Sequence, residues 1–231
     1  MDAPRRTWSP GPARARAQTG AVDVWRADLT AIEPGLEDLL RADERARAAG
    51  ILNARNRTLW ARSRGLLRAL LGRYLEGDPR ELRFVLGPHG KPAPAPGGGL
   101  RFNLSHSGGL ALVAVSTGRE VGVDLEHARE RYTPEFLRAW VAREAAVKCR
   151  GTGLAISQAP SLEADPWTTE LDVGPGSYAA VAVEHGPCEL HSWDWPVQRR
   201  EAPPVSVASA ASARKAAPGP PGALPPSPPQ I

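Results

Sequence analysis

Cysteine is scarce in this chain, and the two that occur, Cys149 and Cys188, are too few for a disulfide framework. They also lack the short paired spacing of a zinc site. No run of about 18 apolar residues is present that could cross a membrane. The arginine-rich N-terminus has no apolar stretch of the kind found in secretion signals. These absences predict a cytoplasmic protein that makes no membrane contact.

Net charge is small outside the two ends, although the whole chain carries +4 at neutral pH. Residues 1–20 and 199–231 each carry +3, which leaves −2 for the residues between them. This distribution argues against a nucleic-acid-binding face across the whole domain. Residues 41–73 are the exception, because nine arginines there outnumber two acidic residues. That patch suits a phosphate or an acidic protein.

Both ends are rich in Pro, Ala, Arg, Ser and Gly and have no hydrophobic periodicity. We therefore expect a disordered basic tail at residues 1–20 and a disordered tail rich in proline and alanine at residues 199–231. The 231 residues are 42% hydrophobic, so the part between the tails can bury a core of its own.

Hydrophobic periodicity predicts a mixture of helices and strands between the tails, which indicates an α+β fold. Strands are expected at residues 22–25, 83–86, 177–183 and 188–195, helices at 34–49 and 53–75, a loop at 87–99, and a hairpin of residues 110–116 and 119–126 around Thr117-Gly118.

The segment from Val121 to Glu126 carries the most informative pattern. Strand alternation places Asp124 and Glu126 on one face together with Gly122. A helix is then expected to begin at Thr133-Pro134, with a capping hydroxyl and a proline in its first turn.

Glu144 projects into the apolar side of that helix. A buried carboxylate there requires a cation, a proton or hydrogen bonds. Three converging carboxylates, Asp124, Glu126 and Glu144, would suit magnesium. The alternative is an ordinary sheet edge beside a solvated pair of Glu144 and Lys148.

The order of several segments resembles the larger, single-chain, pseudo-dimeric type of 4′-phosphopantetheinyl transferase. The matching segments are Gly90 to Pro92, Phe102 to Gly108, Val121 to Glu126, Trp140 to Lys148 and Gly151 to Leu154. Together with the helical part before them they extend the resemblance over roughly residues 22 to 196.

The resemblance implies two similar α+β halves in one monomeric chain, although no internal sequence repeat is visible. The N-terminal half, expected at residues 21–117, would bind coenzyme A. The C-terminal half, expected at residues 118–198, would hold the metal site and the catalytic helix.

By the same resemblance, the protein would transfer the phosphopantetheine arm of coenzyme A to a serine of an acyl or peptidyl carrier protein and release adenosine 3′,5′-bisphosphate. Asp124, Glu126 and Glu144 would hold Mg²⁺. Glu144 would also help to deprotonate the carrier serine, and Lys148 would neutralise the transferring phosphate.

Coenzyme contacts are likewise implied by the family pattern. They would come from Arg45, Arg47, Arg64, Lys91, Ser105, His106 and Lys148. Ser105 and His106 are expected in a polar turn that enters the hairpin. A hydrolase pair is disfavoured there, since no G-x-S-x-G segment surrounds them.

One departure from the family concerns the connection between the carboxylate strand and the catalytic helix, where only residues 127–143 intervene. Arg143 also replaces the usual lysine. The shortened connection motivates a second hypothesis, a module that binds coenzyme A or a carrier protein without turnover. The basic tails and residues 41–73 motivate a third, a nucleic-acid-binding protein.

Overall fold

The computed structural model describes residues 7–32, 34–87, 90–96, 98–151 and 165–196. Within these ranges the chain forms ten strands, three α-helices and one 3-10 helix. In chain order they are β1 (Ser9–Pro10), β2 (Ala21–Asp28), the 3-10 helix (Leu36–Leu39), α1 (Ala42–Ala49), α2 (Ala54–Leu75), β3 (Arg83–Leu86), β4 (Pro92–Ala95), β5 (Leu100–Ser107), β6 (Leu110–Thr117), β7 (Val121–His127), α3 (Pro134–Arg150), β8 (Trp167–Leu171), β9 (Ser177–Val183) and β10 (Glu189–Asp194).

Two main sheets repeat the same connectivity. One has the strand order β1-β10-β2-β6-β5 and the other β7-β9-β8, while β3 and β4 form a separate ribbon. Along the chain, β2, α2, β5 and β6 are followed by β7, α3, β8 and β9, and in both sets the first strand pairs antiparallel with the last. The expected fold of two similar α+β halves is thereby confirmed. The residue at which one half ends and the other begins stays a prediction.

The two sheets pack face to face, with one long helix on each outer side. Three apolar clusters fill the spaces between these four layers. The first joins α2 to the five-stranded sheet through Leu66, Leu67, Leu70, Trp25 and Phe102; the second joins the sheets through Val22, Leu112, Val123 and Val181; the third joins the three-stranded sheet to α3 through Ala180, Ala182, Val141 and Ala145. Each fully buried large side chain contributes about 1.5–3 kcal/mol to folding.

The expected second helix is confirmed at Ala54–Leu75, where the Asn53 side chain accepts a hydrogen bond from the Asn56 amide. The expected helix at residues 34–49 is wrong as one element. It divides into the 3-10 helix and α1, because Leu40 between them has an extended backbone. The backbone amide of Arg41 then donates to the Glu44 carboxylate, as in a capping box.

The expected hairpin around Thr117-Gly118 is also wrong. The hairpin instead joins β5 to β6 through Gly108-Gly109, which both have positive φ. After Gly118 the chain leaves that sheet, and β7 pairs with β9 in the other one. The expected loop at residues 87–99 contains β4, and β8 was not expected at all.

The expected disordered tail at residues 1–20 requires correction for the described residues 7–20. There β1 pairs with β10, the Trp8 indole donates to the Asp172 carbonyl at 2.5 Å, and Ala15 is buried. Trp8 supplies apolar surface that the compositional argument overlooked. The rest of that tail, and the tail at residues 199–231, lie outside the described residues.

Within the described ranges, none of the helices combines the length and the apolar character that a bilayer crossing needs.

Candidate active site

Helix α3 lies directly on β7, the carboxylate strand that carries Asp124 and Glu126. A Cβ atom at Gly122 would meet the Ala145 carbonyl oxygen and the Cys149 amide nitrogen far inside normal contact distance. Only glycine permits this approach of two backbones. Helix α3 begins where the sequence predicts, with Pro134 in its first turn and the Thr133 hydroxyl accepting from the Phe136 amide at 3.2 Å.

Asp124 is the most buried carboxylate of this face, with 4% of its surface exposed. Its Oδ1 atom accepts hydrogen bonds from the Lys148 Nζ at 2.5 Å and from the Ser105 hydroxyl at 3.0 Å. Its Oδ2 atom is buried and finds no hydrogen-bond partner among the described residues. The contacts of α3 and β5 with β7 therefore bring together Asp124, Lys148 and Ser105, three of the predicted site residues.

Glu144 lies beside this group and is 8% exposed. Its Oε1 atom is also buried, and the part of the chain that the structure describes supplies no hydrogen bond to it. Burial, followed by the negative charge of Asp124, raises the pKa of Glu144, while the positive charge of Lys148 opposes the rise. The buried carboxyl group therefore loses its proton less readily than a free glutamate does.

The three predicted metal ligands share a face without converging on one point. Across residues 7–32, 34–87, 90–96, 98–151 and 165–196, no three His, Cys, Asp or Glu side chains are grouped closely enough to hold a metal. Glu126 accepts from the Ser107 hydroxyl at 3.3 Å instead. Two buried carboxylate oxygens without partners nevertheless fit a divalent cation, because buried polar atoms require partners and magnesium prefers oxygen ligands. The ligand set stays a prediction.

Ser105 and His106 lie within strand β5, so their expected placement in a turn is wrong. Strand alternation sends the two side chains to opposite faces. Ser105 contacts Asp124 where β5 and β7, the edge strands of the two sheets, lie next to each other, and beside this contact the Asn103 side chain accepts from the Val123 amide at 2.9 Å. His106 points toward α2.

His106 lines a groove of about 310 Å³ between β5, α2 and α3. Trp60, Ser63, Arg64, Leu104, Ser105 and Lys148 complete its lining. Desolvation in the groove, together with the positive charges of Lys148 and Arg64, lowers the pKa of His106. The groove therefore has two positively charged side chains, Arg64 and Lys148, and a histidine that resists protonation. The two positive charges suit an anionic ligand.

A second cavity, of about 590 Å³, adjoins the groove, because Trp60 and Arg64 line both. Five arginines contribute to its wall, namely Arg41, Arg47, Arg64, Arg68 and Arg83. The family pattern implies a coenzyme contact for Arg47. In the structure its guanidinium lies 5.7 Å from the Trp60 ring centre. Arg45, predicted beside it, is exposed and donates to the Leu40 carbonyl.

Glu44, which the sequence analysis missed, organises the arginines of this second cavity. It is 7% exposed and accepts from Arg68 Nε at 2.6 Å, while Arg64 lies 3.6 Å away. Burial lowers the pKa of Arg64, and the charge of Glu44 opposes that effect. The capping-box position of Glu44 was the available signal. Arg68 is itself buried.

The Lys91 ammonium group is hydrogen-bonded within the protein. It donates to the Glu120 carboxylate at 2.6 Å, the Cys149 carbonyl at 2.8 Å and the Val121 carbonyl at 2.9 Å. These bonds use all three N–H groups. They favour a role in joining the Gly90-to-Pro92 segment to β7 and α3 over the predicted coenzyme contact, which stays untested.

An aromatic stack follows the carboxylate strand, and the sequence analysis did not single it out. The Tyr132 and Phe136 rings are 4.9 Å apart, and the Phe136 and Trp140 rings 6.0 Å apart, with nearly parallel planes. They line a cavity of about 220 Å³ that also contacts Glu126 and Arg131. Aromatic residues at i, i+4 spacing were the signal. Residues 152–154 of the last matching segment lie outside the described residues.

Comparison with known proteins supports the resemblance. No family model matches the chain. It is 34% identical over 219 residues to the 4′-phosphopantetheinyl transferase HetI of Nostoc sp., covering 77% of this chain and 92% of that protein. It is 31% identical over 150 residues to the putative 4′-phosphopantetheinyl transferase slr0495 of Synechocystis sp., covering 53% and 61%. It is 22% identical over 153 residues to the 4′-phosphopantetheinyl transferase Sfp of Bacillus subtilis, covering 56% and 65%. The chain therefore belongs to the 4′-phosphopantetheinyl transferase family of enzymes.

Proposed function

We propose that this transferase moves the 4′-phosphopantetheine group of coenzyme A to a serine of an acyl or peptidyl carrier protein, with Mg²⁺, and releases adenosine 3′,5′-bisphosphate. The observation that carries the proposal is the buried pair of Asp124 and Glu144. Within the described residues each has one carboxylate oxygen without a partner, and Lys148 lies beside them. Such a group fits a metal-assisted phosphoryl transfer.

Asp124, Glu126 and Glu144 would hold the metal in the proposed site. Bound there, the metal would supply positive charge to the diphosphate of the coenzyme. Lys148 would neutralise the phosphate that is transferred, because its ammonium group reaches both the carboxylate face and the groove. Glu144 would accept the proton of the carrier serine directly or through a water.

Coenzyme A would occupy the groove and the adjoining arginine-rich cavity. The two spaces, of about 310 and 590 Å³, are of the size that small-molecule ligands fill. Coenzyme A carries phosphates at two places, and the two spaces offer positive charge at two places. These are Lys148 in the groove and the arginines of the second cavity. Arg64 lines both spaces and would therefore contact the ligand between its phosphates. Ser105 and His106 would contact the ligand in the groove.

The carrier protein would dock beside the aromatic stack. Tyr132 and Phe136 are 37% and 46% exposed, and the Arg131 guanidinium lies 4.7 Å from the Tyr132 ring centre. Exposed aromatic rings next to arginine are typical of the centres of protein interfaces. We further propose that the enzyme acts as a cytoplasmic monomer and that nucleic acid and membranes are not its partners.

Intact-protein mass spectrometry tests the function. The full chain is incubated with coenzyme A, Mg²⁺ and a panel of apo acyl and peptidyl carrier proteins. We expect at least one carrier to gain the mass of a single phosphopantetheine group, and we expect EDTA to prevent the gain. If coenzyme A binds in calorimetry while every carrier keeps its mass, the protein is a binding module without turnover.

A further inference from the structure

We propose that Lys148 competes with the divalent metal for Asp124, so that the ammonium group must leave this carboxylate before the metal is fully bound. The inference rests on the proposed function and adds to it a means by which metal and coenzyme binding are linked.

The Lys148 ammonium group lies directly against the Asp124 carboxylate. The Lys148 Nζ lies 2.5 Å from Asp124 Oδ1 and 3.3 Å from the Ser105 hydroxyl. A magnesium ligand oxygen lies about 2.1 Å from the ion. An ammonium group on Oδ1 and a divalent cation on the unpartnered Oδ2 of the same carboxylate would therefore be close enough to repel each other strongly.

The backbone cannot relieve this repulsion. The turn of α3 from Ala145 to Cys149 rests on Gly122, with no space between the two backbones even for a methyl group. Val141, Ala145 and Cys149 are also fully packed against the three-stranded sheet. Movement is thus restricted to the Lys148 side chain, which is 30% exposed and has a flexible four-carbon stem.

The groove provides a destination for the ammonium group. Lys148 lines it together with Arg64 and His106, where the proposed coenzyme phosphates would lie. A phosphate in the groove would draw the ammonium group from Asp124 and leave that carboxylate to the metal. Coenzyme A would then increase metal affinity, and by thermodynamic linkage the metal would increase coenzyme affinity by the same factor.

Titration with Mn²⁺, followed by the electron paramagnetic resonance signal of the free ion, tests the proposal without turnover. For Lys148→Met in the absence of coenzyme A we expect the dissociation constant for Mn²⁺ to fall about tenfold, since a charged hydrogen bond no longer competes. We also expect coenzyme A to increase Mn²⁺ affinity less in this variant than in the wild type. An unchanged or weaker Mn²⁺ affinity would overturn the proposal.

Arg143→Met is the matched control. It removes one positive charge from the same helix, but the Arg143 side chain is exposed, whereas the Lys148 ammonium group is hydrogen-bonded to Asp124. We expect its Mn²⁺ affinity to change less than about threefold, because an exposed charge is screened by solvent. An equal gain in both variants would indicate general electrostatics and would count against competition.

Lys148→Gln keeps the proposal testable if the methionine variant does not fold, because its amide retains a donor of similar length. It should also bind Mn²⁺ more tightly than the wild type. Failure of the inference and failure of the function can be told apart. A wild type that modifies carriers, with variants that gain no Mn²⁺ affinity, contradicts only the role of Lys148. A wild type that neither binds Mn²⁺ nor modifies a carrier contradicts the proposed function itself.

Discussion

The two halves of the molecule each place a buried aspartate on the helix-facing side of their first strand, and the two aspartates are in opposite states. Asp23 of β2 accepts hydrogen bonds at both oxygens, from His191 and Trp193 at Oδ1 and from Tyr74 at Oδ2. Asp124 of β7 accepts at Oδ1 alone, and the described residues leave its Oδ2 without a partner.

Burial does not explain the difference, since Asp23 and Asp124 are 7% and 4% exposed. Burial and the charge of Asp23 raise the pKa of Tyr74, so its hydroxyl remains a donor, and the same oxygen accepts from the Trp25 indole at 2.7 Å. This network is complete and joins α2, β2 and β10. The site around Asp124 is incomplete, which is expected where a ligand supplies the missing contacts.

The comparison predicts its largest effect at Asp124. Asp124→Asn should reduce transfer to carrier protein by about 1000-fold or more, because the metal and the phosphate lose a charged partner. The free energy of unfolding should change by less than about 1 kcal/mol, since the 30% exposed Lys148 can turn to solvent. Carrier mass spectrometry and urea denaturation measure the two quantities. Transfer within a few-fold of the wild type would show that Asp124 is not a metal ligand.

Asp23→Asn should give the opposite result. An amide has only one acceptor oxygen, so its NH₂ group must face the donors at one end of the network. We expect the free energy of unfolding to fall by about 3 kcal/mol, while transfer per folded molecule stays close to that of the wild type. Urea denaturation and an assay normalised to folded protein measure this. A normal stability would mean that the network around Asp23 contributes little.

The smallest effect concerns pH. Partial burial alone would lower the pKa of His191, but its hydrogen bonds and the charges of Asp23 and Glu189 raise it. The folded state therefore binds this proton more tightly than the unfolded state. Its contribution to stability is complete below about pH 6.5 and is lost as pH rises through the folded pKa.

The His191→Gln variant isolates this contribution. The stability difference between wild type and variant should shrink by up to about 1 kcal/mol as pH rises through that range. Denaturation curves at several pH values measure the difference. A constant difference would show that the histidine titrates equally in both states.

The sequence predicted most of the elements and the chemistry of one face. Alternation in Val121 to Glu126 correctly oriented Asp124, and the capping signals located the start of α3, because both depend on local geometry alone. The repeated halves came from family resemblance, since side chains that pack against different neighbours need not repeat in sequence. The hairpin was misplaced because a strand-turn-strand pattern does not reveal that the chain changes sheets at Gly118.

Side-chain partners were the part that could not be predicted. Arg68 and Arg64 occur on the same helix, four residues apart, and both line the second cavity. Arg68 is buried against Glu44 and two carbonyls, while Arg64 also lines the groove. Lys91 was assigned to the coenzyme by its motif, but its three hydrogen bonds come from elements far apart in sequence. Such roles depend on tertiary contacts that local patterns do not encode.

The close contact at Gly122 also bears on protein engineering. The position of α3 is fixed by its contact with the backbone of β7 at Gly122, so the length of the connection before the helix, residues 128–133, does not determine it. The entropic cost of closing a loop grows only slowly with its length, so each doubling of such a connection lowers the free energy of unfolding by about 0.6 kcal/mol. That segment is therefore a suitable place for inserting a peptide tag or a recognition loop, since carrier choice could be altered there while the spacing between Asp124 and Lys148 is kept.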